Sequence, residues 1–202
     1  MRRHVVLILT TLFLLTGCSD DGTPSTPITG DGGGGKALTW GNGDYGVVLA
    51  HGAAFDAASW TEQAEAIAEQ GATVVAVEDI STEGIAAAVT SLQDDGIEKV
   101  ALVGGSAGAD AILRLSAEEP DLADQLVLLS PNTVVEGLGD QPKLFIASEG
   151  EPGSDLPNQL AEVSPGDDNQ VLVVGGSAHA QNIFDTAQGP DVLAAMLERL
   201  DR

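Results

Sequence analysis

From Tyr45 onward, runs of consecutive apolar residues alternate with stretches in which apolar positions recur every three or four residues. The run "YGVVLAHG" is short and stopped by Gly52, which predicts a strand buried on both faces. "SWTEQAEAIAEQG" then sets Trp60, Ala64, Ile67 and Ala68 on one helical stripe that Gly71 ends. The alternation repeats: "ATVVAVEDI" as strand; a helix with Ile85, Ala88, Val89 and Leu92 on one face, closed at Gly96; "KVALVGG" as strand; and a helix from about Ala107 that stops before Pro120. "QLVLLS", "PKLFIAS" and "NQVLVVGG" read as three more buried strands, with a short helix "LPNQLAEV" between the last two. The final helix, "PDVLAAMLERLD", has Pro190 in its first turn and Val192, Leu193, Met196, Leu197 and Leu200 on one face.

Buried strands separated by amphipathic helices predict an α/β fold, a three-layer sandwich in which a mostly parallel sheet carries helices on both faces. Ligands of such open sheets collect at the carboxyl ends of the strands. That rule singles out His51 and Gly52, Glu78 and Asp79, Ser106, Ser130, Glu149 and Glu151, and Ser177 and His179.

The residues before this domain have a different character. Arg2 and Arg3 precede "VVLILTTLFLLTG", which has the length of a signal peptide's apolar core and is short for a membrane span. Its end, "LTGC", resembles the lipobox of bacterial lipoproteins, which implies that Cys18 is acylated through its sulfur and becomes the new N-terminus after cleavage. Residues 1–18 are therefore expected to be a lipoprotein signal and the protein to be exported, held outside the plasma membrane by its lipid. Residues 19–37, mostly Gly, Pro, Ser, Thr and Asp, are expected to form a flexible tether with a reach of roughly 25 Å, leaving 38–202 as the folded domain.

Cys18 is the only cysteine, so disulfides, zinc thiolates and a cysteine nucleophile are excluded from the domain. The formal charge is −23, and without Arg2 and Arg3 six basic residues face 31 acidic ones. Such a surface repels phosphate backbones, which argues against a nucleic-acid partner. No acidic loop has the spacing of an EF-hand calcium site, and no metal is expected.

"VALVGGSAGADAIL" places Ser106 between Gly104 and Gly108 at the point where a strand hands over to a helix. The spacing fails the GxGxxG dinucleotide fingerprint, and the phosphate-loop GK is missing. It fits GxSxG, a turn so sharp that only small residues can flank the serine, with the amide of the next residue, Ala107, at a helix N-terminus. A serine hydroxyl needs a base. With His4 in the signal, the candidates are His51 and His179, and His179 lies in a Gly-rich loop after the last strand. The supporting carboxylate comes from "LFIASEGEPGSDLP": Glu151 is favoured, with Asp155 and then Glu149 as alternatives, Asp155 also reading as a helix cap.

With "GGSAG", the order Ser106, acid, His179, and the early "HGAA" at 51–54, residues 40–202 resemble the α/β-hydrolase superfamily. The resemblance implies a carboxylic ester or related acyl substrate, small or lipidic, and no organic cofactor. It also implies an oxyanion hole from the amides of Ala53 and Ala107, and a loop-shaping role for His51 beside Gly52. The dozen residues between the strands ending near Ser130 and beginning near Lys143 leave no room for a helical cap, so an open cleft is expected, on a monomer. The alternative is a hydrolase-fold binding lipoprotein that has lost turnover.

Overall fold

Neighbouring residues of a strand point to opposite faces, so a run without polar positions is useful only to a sheet covered on both sides. The computed structural model, which describes residues 28–30 and 37–200, arranges the runs in this way. Among the described residues, eight strands form one sheet: β1 (Ile28–Gly30), β2 (Ala37–Trp40), β3 (Tyr45–Ala50), β4 (Ala72–Val77), β5 (Lys99–Gly105), β6 (Gln125–Leu129), β7 (Lys143–Ser148) and β8 (Asn169–Val174). Their order is β1-β2-β4-β3-β5-β6-β7-β8, with β3 to β8 parallel and β1 and β2 antiparallel to their neighbours. The signal, Cys18 and most of the tether lie outside the described residues.

Five helices among the described residues cover the sheet: α1 (Thr61–Glu69), α2 (Thr82–Asp94), α3 (Ala107–Glu118), α4 (Leu156–Val163) and α5 (Gly189–Leu200). Val47 and Leu49 of β3 face a core shared with Ala64 and Ile67 of α1 and Val192 and Met196 of α5. Val48 and Ala50 face the other core, built with Ile85 and Val89 of α2, Ile112 and Leu115 of α3 and Leu160 of α4. This is the three-layer α/β architecture expected from the pattern.

Two strands escaped it. β2 is only four residues long, and β1 lies within the stretch expected to be tether, where it pairs through Ile28, Thr29 and Gly30 with Thr39, Leu38 and Ala37. Antiparallel pairing at a sheet edge is made by main-chain groups and leaves little trace in side-chain periodicity. Trp60 also differs from expectation: it ends a 3-10 turn, Ala57–Trp60, capped by Asp56, and is fully buried just before α1 begins.

Charge is buried where it holds connections together. Arg199 of α5 grips Asp168 with two hydrogen bonds, 2.7 and 3.0 Å, tying the last helix to the turn before β8. Lys143 is fully buried at the start of β7, where its ammonium donates to the carbonyls of Gln141 (2.7 Å) and Pro165 (2.9 Å) and to Asn169 Oδ1 (3.4 Å). Burial pushes its pKa below the ordinary 10.5, and Asp140 partly offsets this. The unfolded chain therefore binds this proton more tightly, and the linked stability rises with pH as pH climbs through the folded value toward 10.5. Lys143→Met strands three acceptors and is expected to cost about 2–3 kcal/mol in urea unfolding, and to abolish that alkaline rise.

Candidate active site

Ser106 sits between β5 and α3 with φ 49° and ψ −110°, a conformation that a non-glycine residue holds only at a cost of about 1–3 kcal/mol. Both sides of it are pinned: its N–H donates to the Leu129 carbonyl and its own carbonyl accepts from Asp110 N–H, each at 2.9 Å. The flanking glycines let helix and strand approach closely enough to make the turn. A Cβ on Gly108 would lie 2.3 Å from the Ala50 carbonyl oxygen, and one on Gly104 would lie 2.7 Å from Ala109 N.

The turn aims the serine at the loop following β8. His179 Nε2 lies 2.9 Å from Ser106 Oγ, and His179 Nδ1 lies 2.5 Å from Glu151 Oε2. A carboxylate only accepts, so Nδ1 carries the hydrogen of the neutral ring and Nε2 accepts from the serine hydroxyl. The Glu151 side chain is 1% exposed and that of His179 37%, which puts the acid inside and the imidazole at the surface. Glu151 is held by its other oxygen, Oε1, which accepts from Ser148 N–H (2.6 Å) and Ser130 Oγ (2.9 Å).

The histidine loop is fastened at several points. Ser148 Oγ donates to the Ala178 carbonyl at 2.6 Å, and Ala180 N–H donates to Ser130 Oγ at 2.8 Å. Beyond the 3-10 turn Ala180–Ile183, Phe184 packs edge-on against Trp60 at 6.0 Å. Among the described residues, the non-glycine residues with positive φ are Ser106, Ser130 and Ala180, and all three belong to this site. Strained backbone gathered at one place points to a task there.

The remaining expected residues fall as follows. His51 is buried, with Nδ1 2.8 Å from the Gly52 carbonyl and Nε2 3.3 Å from that of Glu78; it shapes its loop and makes no bond to Ser106. Gly52 N–H donates to Gln181 Oε1 at 2.8 Å, and a Cβ there would lie 3.5 Å from that of Ser106. Ala53 follows in a turn closed by Phe55 N–H to the Gly52 carbonyl, so its own amide has no partner within that turn. Ala107, the first residue of α3, lacks an intrahelical acceptor for its N–H.

Asp155 is not the partner of His179. It precedes α4, where its exposed carboxylate turns back one helical turn to accept from Gln159 Nε2 at 2.5 Å, and it makes no side-chain cap. Glu149 is exposed and shares no hydrogen bond with His179 among the described residues. Asp110, Asn132, Ser148 and Gln181 were not legible as site residues, because each is defined by partners remote in the chain. Ser130 was singled out by its strand end but without a role. Ser130→Ala removes one of the two donors to Glu151 Oε1 and the acceptor for Ala180 N–H, and is expected to cost about 1–3 kcal/mol in urea unfolding. Among the described residues no cluster of three His, Cys, Asp or Glu is placed to hold a metal ion, and no helix is long and apolar enough to cross a membrane.

No protein-family model and no curated protein matches the sequence. Solved structures do match the fold. A monoacylglycerol lipase from Paleococcus ferrophilus superposes with a TM-score of 0.65 at 15% identity, over 82% of this chain and 97% of the lipase. A carboxylesterase from Bacillus subtilis gives 0.66 at 15% identity, over 89% and 92%. Epoxide hydrolase A from Mycobacterium thermoresistibile gives 0.66 at 17% identity, over 87% and 98%. The chain has the α/β-hydrolase fold.

Proposed function

We propose that this protein is a serine hydrolase that cleaves a carboxylic ester or related acyl bond, exported and held at the outer side of the plasma membrane by a lipid on Cys18. The observation that carries the catalytic reading is the continuous hydrogen-bonded chain from Ser106 Oγ through His179 to buried Glu151. The likeness in fold to a lipase and a carboxylesterase is in keeping with it.

In this reading Ser106 attacks the acyl carbon while His179 Nε2 takes its proton, and Glu151 keeps the imidazole oriented and supports its positive form. The amides of Ala53 and Ala107 hold the carbonyl oxygen as it becomes an anion. His179 then gives its proton to the leaving alcohol, and water repeats the sequence on the acyl-enzyme. The short connection from Ser130 to Lys143 contains no helix, which leaves the cleft without a cap and suits substrates presented from open solvent or from a surface.

A fluorophosphonate tests the proposal. Stoichiometric labelling of the folded protein at Ser106, lost in Ser106→Ala, together with hydrolysis of p-nitrophenyl esters, is the expected result. A folded protein that remains unlabelled would be a binding lipoprotein on a hydrolase fold. Ester chain length, varied across the panel, then reads the acyl preference.

A further inference from the structure

A second set of contacts reaches the same serine from the other side. Asp110 lies in the first turn of α3, and Asn132 lies two residues past Ser130 in the loop after β6. Asn132 N–H donates to Asp110 Oδ1 and Asn132 Nδ2 to Asp110 Oδ2, both at 2.9 Å, while Thr133 Oγ1 adds a weaker bond to Oδ1 at 3.3 Å. An ionised carboxylate offers no hydrogen, so the Asn132 atom facing it is the nitrogen, and the orientation of the amide is settled. The same NH₂ group lies 3.4 Å from Ser106 Oγ, to which it donates. Ser106 Oγ therefore stands between a donor, Asn132, and the proton acceptor, His179 Nε2. Asn132 is exposed and Ser106 half-buried, so both are reachable from solvent.

We infer that Asn132 is a further catalytic residue, donating to Ser106 Oγ as negative charge develops there, and that Asp110 is its positioning residue. The inference rests on the serine-hydrolase reading. In acylation the bond from Oγ to the acyl carbon forms as the Oγ proton passes to His179 and the carbonyl π pair moves onto its oxygen. The bond to the alcohol then breaks, and the alcohol leaves with that proton. In deacylation water bonds to the acyl carbon and its proton goes to His179. The bond from carbon to Oγ then breaks with its electron pair on Oγ, which recovers the proton. In both halves Oγ carries partial negative charge while its proton is away, and a donor aimed at it is stronger then than in the resting state. A resting distance of 3.4 Å is long for N–H to O, which leaves the bond to tighten as charge appears.

The test compares wild type, Asn132→Ala and Val134→Ala in kcat for p-nitrophenyl acetate and in the rate of Ser106 phosphonylation by a fluorophosphonate. Asn132→Ala is expected to lower both rates roughly 10- to 100-fold with KM changed less than about threefold. Val134→Ala, which trims an exposed side chain two residues further along the same loop, is expected to leave both within about twofold. If Asn132→Ala does not fold, Asp110→Asn carries the test, because it withdraws one of the acceptors that aim the amide and is expected to slow both reactions about 3- to 10-fold. Rates within twofold of wild type in Asn132→Ala, or in Asp110→Asn where that variant carries the test, overturn the inference and leave the hydrolase reading standing. Equal slowing by Val134→Ala also overturns it, since loop order alone would then explain the effect. A wild type that is never phosphonylated at Ser106 overturns both.

Discussion

On the proposed serine-hydrolase reading, His179→Ala is expected to lower kcat/KM for a p-nitrophenyl ester by roughly 10⁴- to 10⁶-fold, a loss of about 5–8 kcal/mol of transition-state stabilisation. The size follows from the position of the ring. It is the group hydrogen-bonded both to the Ser106 hydroxyl and to the buried Glu151 carboxylate, so its removal leaves the nucleophile without a proton acceptor and a desolvated acid without its partner. His51→Ala provides the contrast. That ring hydrogen-bonds to the Gly52 and Glu78 carbonyls and not to Ser106, so its loss disturbs the loop carrying Ala53 and is expected to cost about 10- to 100-fold. Steady-state kinetics on the two purified variants check the pair, and equal losses would mean that His51 shares the proton transfer.

Gly108→Ala destabilises the fold by about 3–5 kcal/mol, a large share of the roughly 5–15 kcal/mol that holds a domain together. The added methyl would lie 2.3 Å from the Ala50 oxygen and 2.7 Å from that of His51, and both belong to backbone that cannot swing aside as a side chain would. Relief requires α3 to lift from the sheet, which also moves Ser106 at its N-terminus. Gly96→Ala separates crowding from backbone preference. Its φ is +91° but nothing lies within 4 Å of the new Cβ, so only the conformational cost of about 1–2 kcal/mol is expected. Chemical denaturation of both variants measures the difference.

The parallel sheet and its helices were legible because buried strands and one-sided helices leave opposite signatures. "QLVLL" and "KLFIAS" are buried at every position, and α2 shows its apolar stripe at Ile85, Val89 and Leu92. β1 and β2 were not, since edge pairing is written in main-chain hydrogen bonds. Ser106 was legible through the glycines that its turn requires, and His179 through its place after the last strand. Among the carboxylates, spacing alone could not decide. Glu151 is distinguished by what surrounds it, the Ser148 amide and the Ser130 hydroxyl, and Ser130 lies 21 residues away. Buried Lys143 and Arg199 were equally silent, because they reach acceptors 22 and 31 residues distant, Pro165 and Asp168.

The wide separation of the reacting groups bears on when the protein gains reactivity. Ser106 precedes His179 by 73 residues, and His179 follows β8, which joins the sheet through β7 alone. A polypeptide emerging from the ribosome amino end first therefore has its elbow long before its imidazole. Until the last strand docks, the hydroxyl remains an ordinary alcohol. On the serine-hydrolase reading, a nascent chain is thereby inert toward the acyl groups it meets until β8 and the loop after it have docked.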